Sequence, residues 1–307
     1  MNNIIARITK EPKRCLAKLL LTFSYCLSDK QYLKALFMYR FGYPLDLKNP
    51  TTFCEKLQWL KLYDRRPVYS KMVDKYEVKK YVADKIGEEY IIPTLGVWNT
   101  PDDIDWNSLP DRFVLKTTHG GGGNGIIICK DKKLLDKDAT IKQLHDSLNA
   151  DLYRLFRESA YKNVRKRIIA EKYMVPEDNT HVGLLDYKFF CFNGKVKFFK
   201  VDFGRFIEHH ANYYSLDCEL LEFGEKGMEP DPNADIHFPE NLQEMIELAE
   251  YLSNDLPFIR VDLYNINGKI YFGELTFYPA AGFGKFIPEE WNEKIGSLIK
   301  LNTSNKI

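Results

Sequence analysis

The sequence predicts an α+β protein with antiparallel sheets, preceded by a helical N-terminal region. Three observations lead there. Two stretches alternate β-branched or aromatic residues with polar ones around a tight turn: Asp186 to Val201 about Asn193-Gly194, and Phe258 to Phe283 about Asn265-Ile-Asn-Gly268. This is the pattern of strands joined as hairpins. A third stretch, Arg112 to Cys129, runs strand, glycine loop, strand. From residue 15 to Ile86 the chain carries the apolar spacing of amphipathic helices.

Taken in order, residues 15–40 have helical spacing that Gly42-Tyr-Pro44 stops. Thr52 and Glu55 stand at capping-box spacing and open a helix that turns Leu57, Trp59, Leu60 and Leu62 inward until Arg65-Arg-Pro67. Asp74 to Ile86 is a further helix with Val78, Tyr81, Val82 and Ile86 on its buried side and Gly87 as its stop. Tyr90 to Trp98 reads as a strand and Pro101 to Pro110 as a polar connection. After the glycine-loop hairpin, Asp138 to Tyr153 is helical, the basic run Lys162 to Arg167 is a solvated loop or helix end, and Arg167 to Met174 is a strand ending in Glu171 and Lys172. Residues 202–235 read as loop-rich, Pro239 to Ser253 as a helix with one apolar side, and 289–301 as the closing helix.

At 307 residues with 45% hydrophobic content, the chain can bury one large domain or two closely packed ones. Its 44 basic and 43 acidic residues nearly cancel, which argues against nucleic acid as a partner and leaves charged ligands to be recognised locally. The six cysteines are scattered without CxxC or Cys/His spacing, as in reduced core thiols of a cytoplasmic protein. No segment approaches the length of a membrane-spanning helix. The stretch Leu16 to Leu27 follows Lys10, Lys13 and Arg14. It reads as an amphipathic helix, packed on the body of the protein or in peripheral contact with the inner membrane face, rather than as a signal peptide.

Two stretches carry chemistry. In the last hairpin Asp262 and Glu274 stand on facing strands, with Arg260 two residues before the aspartate. A solvated salt-bridge cluster and a hard-metal site both fit this pattern; magnesium takes one or two carboxylates and leaves its other positions to water and phosphate. In the other, Lys116 ends a strand and Gly120 to Gly123 follow. Consecutive glycines let backbone N–H groups close around an anion, although a plain flexible hairpin has the same composition. The lysine precedes the glycines and a strand follows them, so this is neither a P-loop nor a dinucleotide fingerprint. His209 and His210, adjacent on a strand, would point to opposite sides, which disfavours a shared metal.

The order of these features resembles the ATP-grasp superfamily, and more narrowly its TupA-like members, linked to teichuronopeptide and capsular polysaccharide synthesis and often labelled glycosyltransferases. The likeness runs from about Phe41 to Leu301. It is carried by Asn49-Pro-Thr-Thr-Phe-Cys-Glu-Lys-Leu57, Asp74-Lys-Tyr76, Phe113-Val-Leu-Lys116, Ala170-Glu-Lys-Tyr173, Asp186-Tyr-Lys188 and Gly273-Glu-Leu-Thr-Phe-Tyr-Pro279. It implies two α+β subdomains with antiparallel sheets clasping ATP. The chain then divides into a helical N-terminal region (1–70), a pre-grasp α/β segment (71–112) and an ATP-grasp domain (113–301), itself split into a nucleotide-clasping subdomain (113–175) and a metal and catalytic subdomain (176–301).

Residue by residue, the resemblance matches Lys116 to the lysine on the nucleotide phosphates and Gly120, Gly121, Gly122 and Gly123 to the loop over them. Glu171, Tyr173 and Met174 match the adenine-binding linker, and Asp186 a position near the ribose. Lys188 and Arg205 would reach toward the γ-phosphate or the acceptor. Asp262, Glu274 and Thr276 match the magnesium ligands, with Thr276 standing where many ATP-grasp ligases carry asparagine, and Arg260 matches the arginine that steadies the acyl phosphate. Implied cofactors are ATP and Mg2+; implied partners are a glycan or sugar-acid acceptor and an amino-acid or amine co-substrate. The activity implied is a carboxylate–amine ligase of cell-surface polysaccharide synthesis, located in the cytoplasm at the inner membrane face. An ATP-grasp kinase phosphorylating a sugar would use the same nucleotide site. A glycosyltransferase is the rival, without a two-Rossmann alternation of strands and helices in its favour, and a catalytically dead scaffold would more readily have lost one of Lys116, Lys188, Arg260, Asp262 or Glu274. Phe277, Tyr278, Phe283 and Phe286, with the two histidines, fit either an acceptor site or ordinary packing.

Overall fold

The computed structural model describes residues 20–121, 125–174, 184–204 and 209–302. Gly122, Gly123 and Arg205 lie outside these, as do residues 16–19 of the apolar stretch that begins at Leu16.

The helical spacing over 15–40 resolves into separate pieces. A 3-10 turn at Phe23–Tyr25 ends one, and Ser28 opens the next, α1 (Asp29–Phe41), through a capping box with Gln31; Gly42 closes it at φ 84°. A new cap inside a continuous apolar pattern restarts the helix because its side chain satisfies N–H groups that an uninterrupted helix would have bonded itself. Helix α2 (Phe53–Tyr63) has the expected Thr52–Glu55 capping box. Two short-spaced helices follow, α3 (Tyr69–Val73) and α4 (Glu77–Ile86). The start of α4 is held by Asp74, whose Oδ1 accepts from the N–H groups of Tyr76 and Glu77 at 2.8 and 3.1 Å.

Two antiparallel sheets carry the rest. The first has the order β1-β4-β2-β3, from β1 (Thr94–Trp98), β2 (Phe113–Thr117), β3 (Ile126–Cys129) and β4 (Ile168–Lys172). Strand β1 starts at Thr94 rather than at Tyr90, because Pro93 has no N–H to give to a ladder. Helix α5 (Lys137–Leu148) packs over this sheet with its own small core of Ile104, Leu109, Phe113, Leu115, Cys129, Leu144, Ile168 and Ala170. The helix expected to run on to Tyr153 breaks at Asn149, and Asp151 caps a separate turn, α6 (Leu152–Phe156).

The second sheet has the order β10-β9-β5-β6-β7. Its strands are β5 (Asp186–Phe192), β6 (Lys195–Phe203), β7 (His210–Tyr214), β9 (Phe258–Ile266) and β10 (Lys269–Thr276). Both hairpin turns place Asn-Gly at positive φ, Asn193 and Gly194 at 52° and 77°, Asn267 and Gly268 at 53° and 78°, as a type I′ turn requires. Within the loop-rich residues 202–235, β7 completes the sheet and β8 (Gly224–Glu225) pairs with β11 (Phe286–Ile287). One sheet face, with Phe189, Cys191, Phe199, Val201, Val261 and Leu263, joins helix α7 (Leu242–Leu252) in the main core. Leu242, Met245, Ile246, Ala249 and Leu252 are that helix's buried residues, a single stripe of helical period.

The other face is apolar at one end only. There Phe53 of α2 packs edge-on against Phe258 at 5.0 Å between ring centroids, and Trp291 of α8 (Trp291–Leu298) stacks on Phe223 at 4.0 Å. Phe277, Tyr278, Phe283 and Phe286 belong to this core, each no more than 9% exposed. They are packing residues, and Phe283 meets Phe37 of α1 at 6.4 Å between centroids. The N-terminal helices therefore share one continuous core with the second sheet.

Candidate active site

The polar end of that face is a ladder of charge. Cross-strand register aligns Glu274 with Asp262, Asp262 with Lys188, Lys188 with Lys200 and Lys200 with Tyr213, one residue from each of the five strands. A neighbouring row aligns Thr276 with Arg260. Alternation puts all of these on the same side, away from α7.

One glycine makes this possible. Counting back from the Asn267-Gly268 turn, a regular hairpin would set Glu274 opposite Val261 on the buried face. Instead the register shifts between Phe272 and Glu274: Phe272 pairs with Leu263, and Glu274 with Asp262. Gly273 is the extra residue of a β-bulge that re-aims the strand end. A Cβ there would lie 2.9 Å from the Asp262 carbonyl oxygen and 3.1 Å from the Tyr264 ring. Gly273→Ala is accordingly expected to destabilise the fold by about 1–3 kcal/mol, read by urea unfolding, and to weaken whatever ligand needs both carboxylates. Unchanged stability would show that the bulge tolerates a side chain.

Arg260 organises the carboxylates. Its guanidinium grips Asp262 with two hydrogen bonds of 2.6 Å and reaches Glu274 Oε1 and Thr276 Oγ1 at 3.1 Å each. Thr276 in turn donates to Glu274 Oε1 at 3.0 Å. Glu274 Oε2 accepts from Lys75 Nζ at 2.8 Å. Burial alone would raise the Glu274 pKa, but Lys75 and Arg260 outweigh it and hold the carboxyl well below the usual range. For Asp262 burial wins and pushes it upward, against the pull of Arg260 and Lys188. Lys188 bonds Asp186 closely and lies 3.2 Å from Asp202 and 3.8 Å from Asp262. Burial works to neutralise Lys188; the three carboxylates more than reverse that, and its pKa is raised. Lys200 closes the row, 3.3 Å from Asp202 and 3.6 Å from Glu225.

The first sheet supplies a second group. Glu171, on β4, takes Lys116 of β2 at 2.5 Å and Lys79 of α4 at 2.7 Å. Burial raises the Glu171 pKa less than the two lysines lower it. Lys75, just before α4, and Lys79 within it thus bridge the two sheets: one meets Glu274 and the other Glu171. Between them lies a polar recess also lined by Ile91, Ile92, Phe272 and Gly273. Tyr173 and Met174 follow β4, half-buried, and Gly120 and Gly121 follow β2, Gly121 facing Leu152. Asp186 is buried beside Lys188. His210 bonds the Glu229 carbonyl and stacks on Phe203, while His209 lies 3.5 Å from Asp202.

The sequence-named residues Arg260, Asp262, Glu274, Thr276, Lys188 and Asp186 are therefore together, and Lys116 with Glu171 forms a second group. Sequence reasoning missed Lys75, Lys79, Lys200 and Asp202. Lys75 stood within the quoted Asp74-Lys-Tyr76 motif without a role, and Lys200 and Asp202 repeat on β6 the spacing of Lys188 and Asp186 on β5. Arg167 was placed in a solvated run but is buried, bonded through one guanidinium nitrogen to Asp74 at 2.8 Å and Glu77 at 2.9 Å.

The oxygen donors fit a hard cation. Two carboxylates face each other across one strand pair, Thr276 adds a hydroxyl, and Glu274 keeps 39% side-chain exposure where Asp262 keeps 4%. The described residues contain no group of three or more His, Cys, Asp or Glu placed to hold a metal by themselves. Phosphate and water oxygens would have to complete the coordination, as is usual for magnesium.

Comparison with known proteins follows this geometry. D-alanine–D-alanine ligase from Bacillus anthracis is similar over 71% of this chain and 62% of its own, at 17% identity and a TM-score of 0.41. The corresponding ligase from Helicobacter pylori gives 18% identity over 80% and 68% of the two chains, with a TM-score of 0.40. N5-carboxyaminoimidazole synthetase from Staphylococcus aureus, solved with ADP, gives 17% identity over 81% and 51%, with a TM-score of 0.40. The chain thus spans less than two thirds of the first of these. No curated protein matches the sequence at a significant level. A family model described as TupA-like ATP-grasp matches residues 55–300. With four fifths of its length in that match and two antiparallel sheets facing each other across bridging lysines, the chain belongs to the TupA-like ATP-grasp family.

Proposed function

We propose that the protein is an ATP- and magnesium-dependent carboxylate–amine ligase that works through an acyl phosphate. The observation that carries this reading is the convergence of Arg260, Asp262, Glu274 and Thr276 on one bulged strand pair, with Lys75 joining them from the side that also holds Lys79, Lys116 and Glu171. Cations already gathered at that place suit a polyphosphate, which would replace Glu171 and Glu274 as their counter-ions.

In this reading Lys116, with the Gly120 to Gly123 loop, holds the phosphates, and Glu171, Tyr173 and Met174 receive the adenine. Asp186 serves the ribose side, while Lys188 and Arg205 address the γ-phosphate or the acceptor. Asp262, Glu274 and Thr276 would hold magnesium, which when bound neutralises charge on the transferring phosphoryl group. The acceptor carboxylate forms a new bond to the γ-phosphorus as the bond to ADP breaks. An amine then bonds the acyl carbon, phosphate leaves, and the amine gives up a proton. As the amine adds, the acyl carbonyl oxygen becomes an oxyanion, and in this reading the Arg260 guanidinium stabilises its charge. The resemblance to teichuronopeptide and capsule enzymes supports a uronic acid or related sugar acid as acceptor and an amino acid or amine as co-substrate. ATP supply supports the cytoplasm, and a location at the inner membrane face follows from the same resemblance. Among the described residues no helix is long and apolar enough to cross a membrane.

Titration calorimetry with and without magnesium tests the nucleotide half. Wild type is expected to bind ATP in a magnesium-dependent manner, and Glu274→Ala to bind at least about tenfold more weakly, the scale of losing a charged ligand contact. Absence of binding by folded wild type would overturn the reading. ATP-driven hydroxamate formation from hydroxylamine then marks the ligase, whereas phosphate retained on a sugar hydroxyl would mark a kinase.

A further inference from the structure

Three chain segments meet at one buried knot beside the recess. Arg167, the residue before β4, donates to Asp74 Oδ2 at 2.8 Å and to Glu77 Oε1 at 2.9 Å, and its guanidinium lies 4.8 Å from the centre of the Tyr76 ring. Its backbone exchanges two bonds with Thr118, which follows β2 on the way to the glycines: Thr118 N–H donates to the Arg167 carbonyl at 2.9 Å, and Arg167 N–H to Thr118 Oγ1 at 3.1 Å. Thr118 closes the ring, its carbonyl accepting from Lys75 N–H at 2.9 Å. Asp74, Thr118 and Arg167 are 2%, 0% and 8% exposed. Asp74 also caps α4, so the residue between the two anchored groups is Lys75, whose ammonium reaches Glu274 on the other sheet.

Packing alone does not account for this. A buried ion pair is a weak source of stability compared with apolar residues of the same volume, and the Nε of Arg167 is buried without a hydrogen-bond partner. What the arrangement does supply is fixed geometry, since it locks the backbone on both sides of Lys75 to the strand that ends in the glycine loop and to the strand that carries Glu171. We propose that Arg167 is a positioning residue: through Asp74 and Thr118 it sets Lys75 and the Lys116 strand as one rigid unit, so that both ammonium groups meet the phosphates of the nucleotide in register. This rests on the nucleotide reading above.

The test is a double-mutant cycle on ATP binding, with adenosine as the control ligand. Arg167→Lys keeps a cation beside Asp74 and removes the planar fork. ATP affinity is expected to fall about tenfold, within the range of coupling in one ion-pair network. Adenosine binding, followed by ligand-observed NMR, is expected to stay within about twofold, and in a Lys75→Met background the same substitution is expected to cost clearly less than in wild type, about threefold, the share that runs through the Lys116 strand. Equal losses for ATP and adenosine, or full additivity with Lys75→Met, would overturn the inference. Should thermal melting show that Arg167→Lys does not fold, Asp74→Asn removes the same clamp from its other end and enters the same cycle with the same criteria. Wild type that binds no ATP would defeat the nucleotide reading first, and the inference with it; binding with additive variants defeats the inference alone.

Discussion

Arg260→Met is expected to lower kcat by about 10²–10³, the usual loss when a preorganised donor to a developing oxyanion is removed, with a much smaller change in ATP affinity. The reason lies in the contacts: Arg260 is the only group that touches Asp262, Glu274 and Thr276 together among the described residues. Its charge sits where all three proposed magnesium ligands converge. Hydroxamate formation with a panel of uronic acids gives the rate, and calorimetry gives the affinity. Removing the guanidinium also leaves Asp262 buried without its two-point partner, so part of any loss could be structural. Arg260→Lys separates the effects, since an ammonium restores charge but cannot span both carboxylates as a fork does. A rate for Arg260→Met within about threefold of wild type, well below what such a donor contributes, would remove Arg260 from the chemistry.

Lys188→Met is expected to destabilise the protein by about 3–5 kcal/mol at pH 7, because it strips the shared cation from buried carboxylates. Asp186, Asp202 and Asp262 all lie against that one ammonium. The pH dependence has a definite sign. Burial alone would raise Asp202, but Lys200, Lys188 and Arg260 hold it well below the ordinary carboxylate range. A group with a depressed folded pKa contributes stability that is present above its unfolded value, roughly 3.9, and is lost as pH falls through the folded one. Without Lys188 the depression shrinks. Asp202's share of the gap between wild type and variant should therefore be full at neutral pH and narrow as the pH drops below about 4, while the share of Asp262, which burial pushes up to about 6, narrows from nearer neutral pH. Urea unfolding of both proteins across that interval measures it, and a gap independent of pH would mean that the lysine stabilises through its methylenes rather than its charge.

Much of this site was legible in the chain, and the illegible parts have identifiable causes. Asn193-Gly194 and Asn267-Gly268 announce their hairpins because only residues tolerant of positive φ make such turns. The Thr52–Glu55 box is equally local. Arg260, Asp262 and Glu274 are legible as charges on the last hairpin and Thr276 only through the family resemblance, yet regular pairing counted from the turn would send Glu274 into the core. The signal that corrects it is a change of parity: Ile270 and Phe272 are buried at even numbers, then Leu275 at an odd one, with Gly273 between. Lys75, Lys79 and Arg167 could not be found this way, because their partners stand more than ninety positions off in several cases, as with Arg167 and Asp74. Arg165 and Lys166, just before Arg167, are equally basic but exposed, so periodicity does not distinguish a buried guanidinium from a solvated one. Strand β7 was missed because its pattern, His-Ala-Asn-Tyr-Tyr, buries both faces and so does not alternate.

The pairing of every named lysine in the cleft with a carboxylate bears on how a ligand arrives. Lys75, Lys79, Lys116, Lys188, Lys200 and Arg260 face Glu171, Glu274, Asp186, Asp202, Asp262 and Glu225. Fields from such matched charges cancel within a few ångströms, and the chain's near-zero net charge adds no far field. A polyanion in solution is therefore not drawn in from a distance; it diffuses to the mouth unsteered and meets strong attraction only after displacing the resident carboxylates. Encounter is slow by the standards of electrostatically guided binding and nearly indifferent to ionic strength, and discrimination between one anion and another falls to the exchange that follows contact.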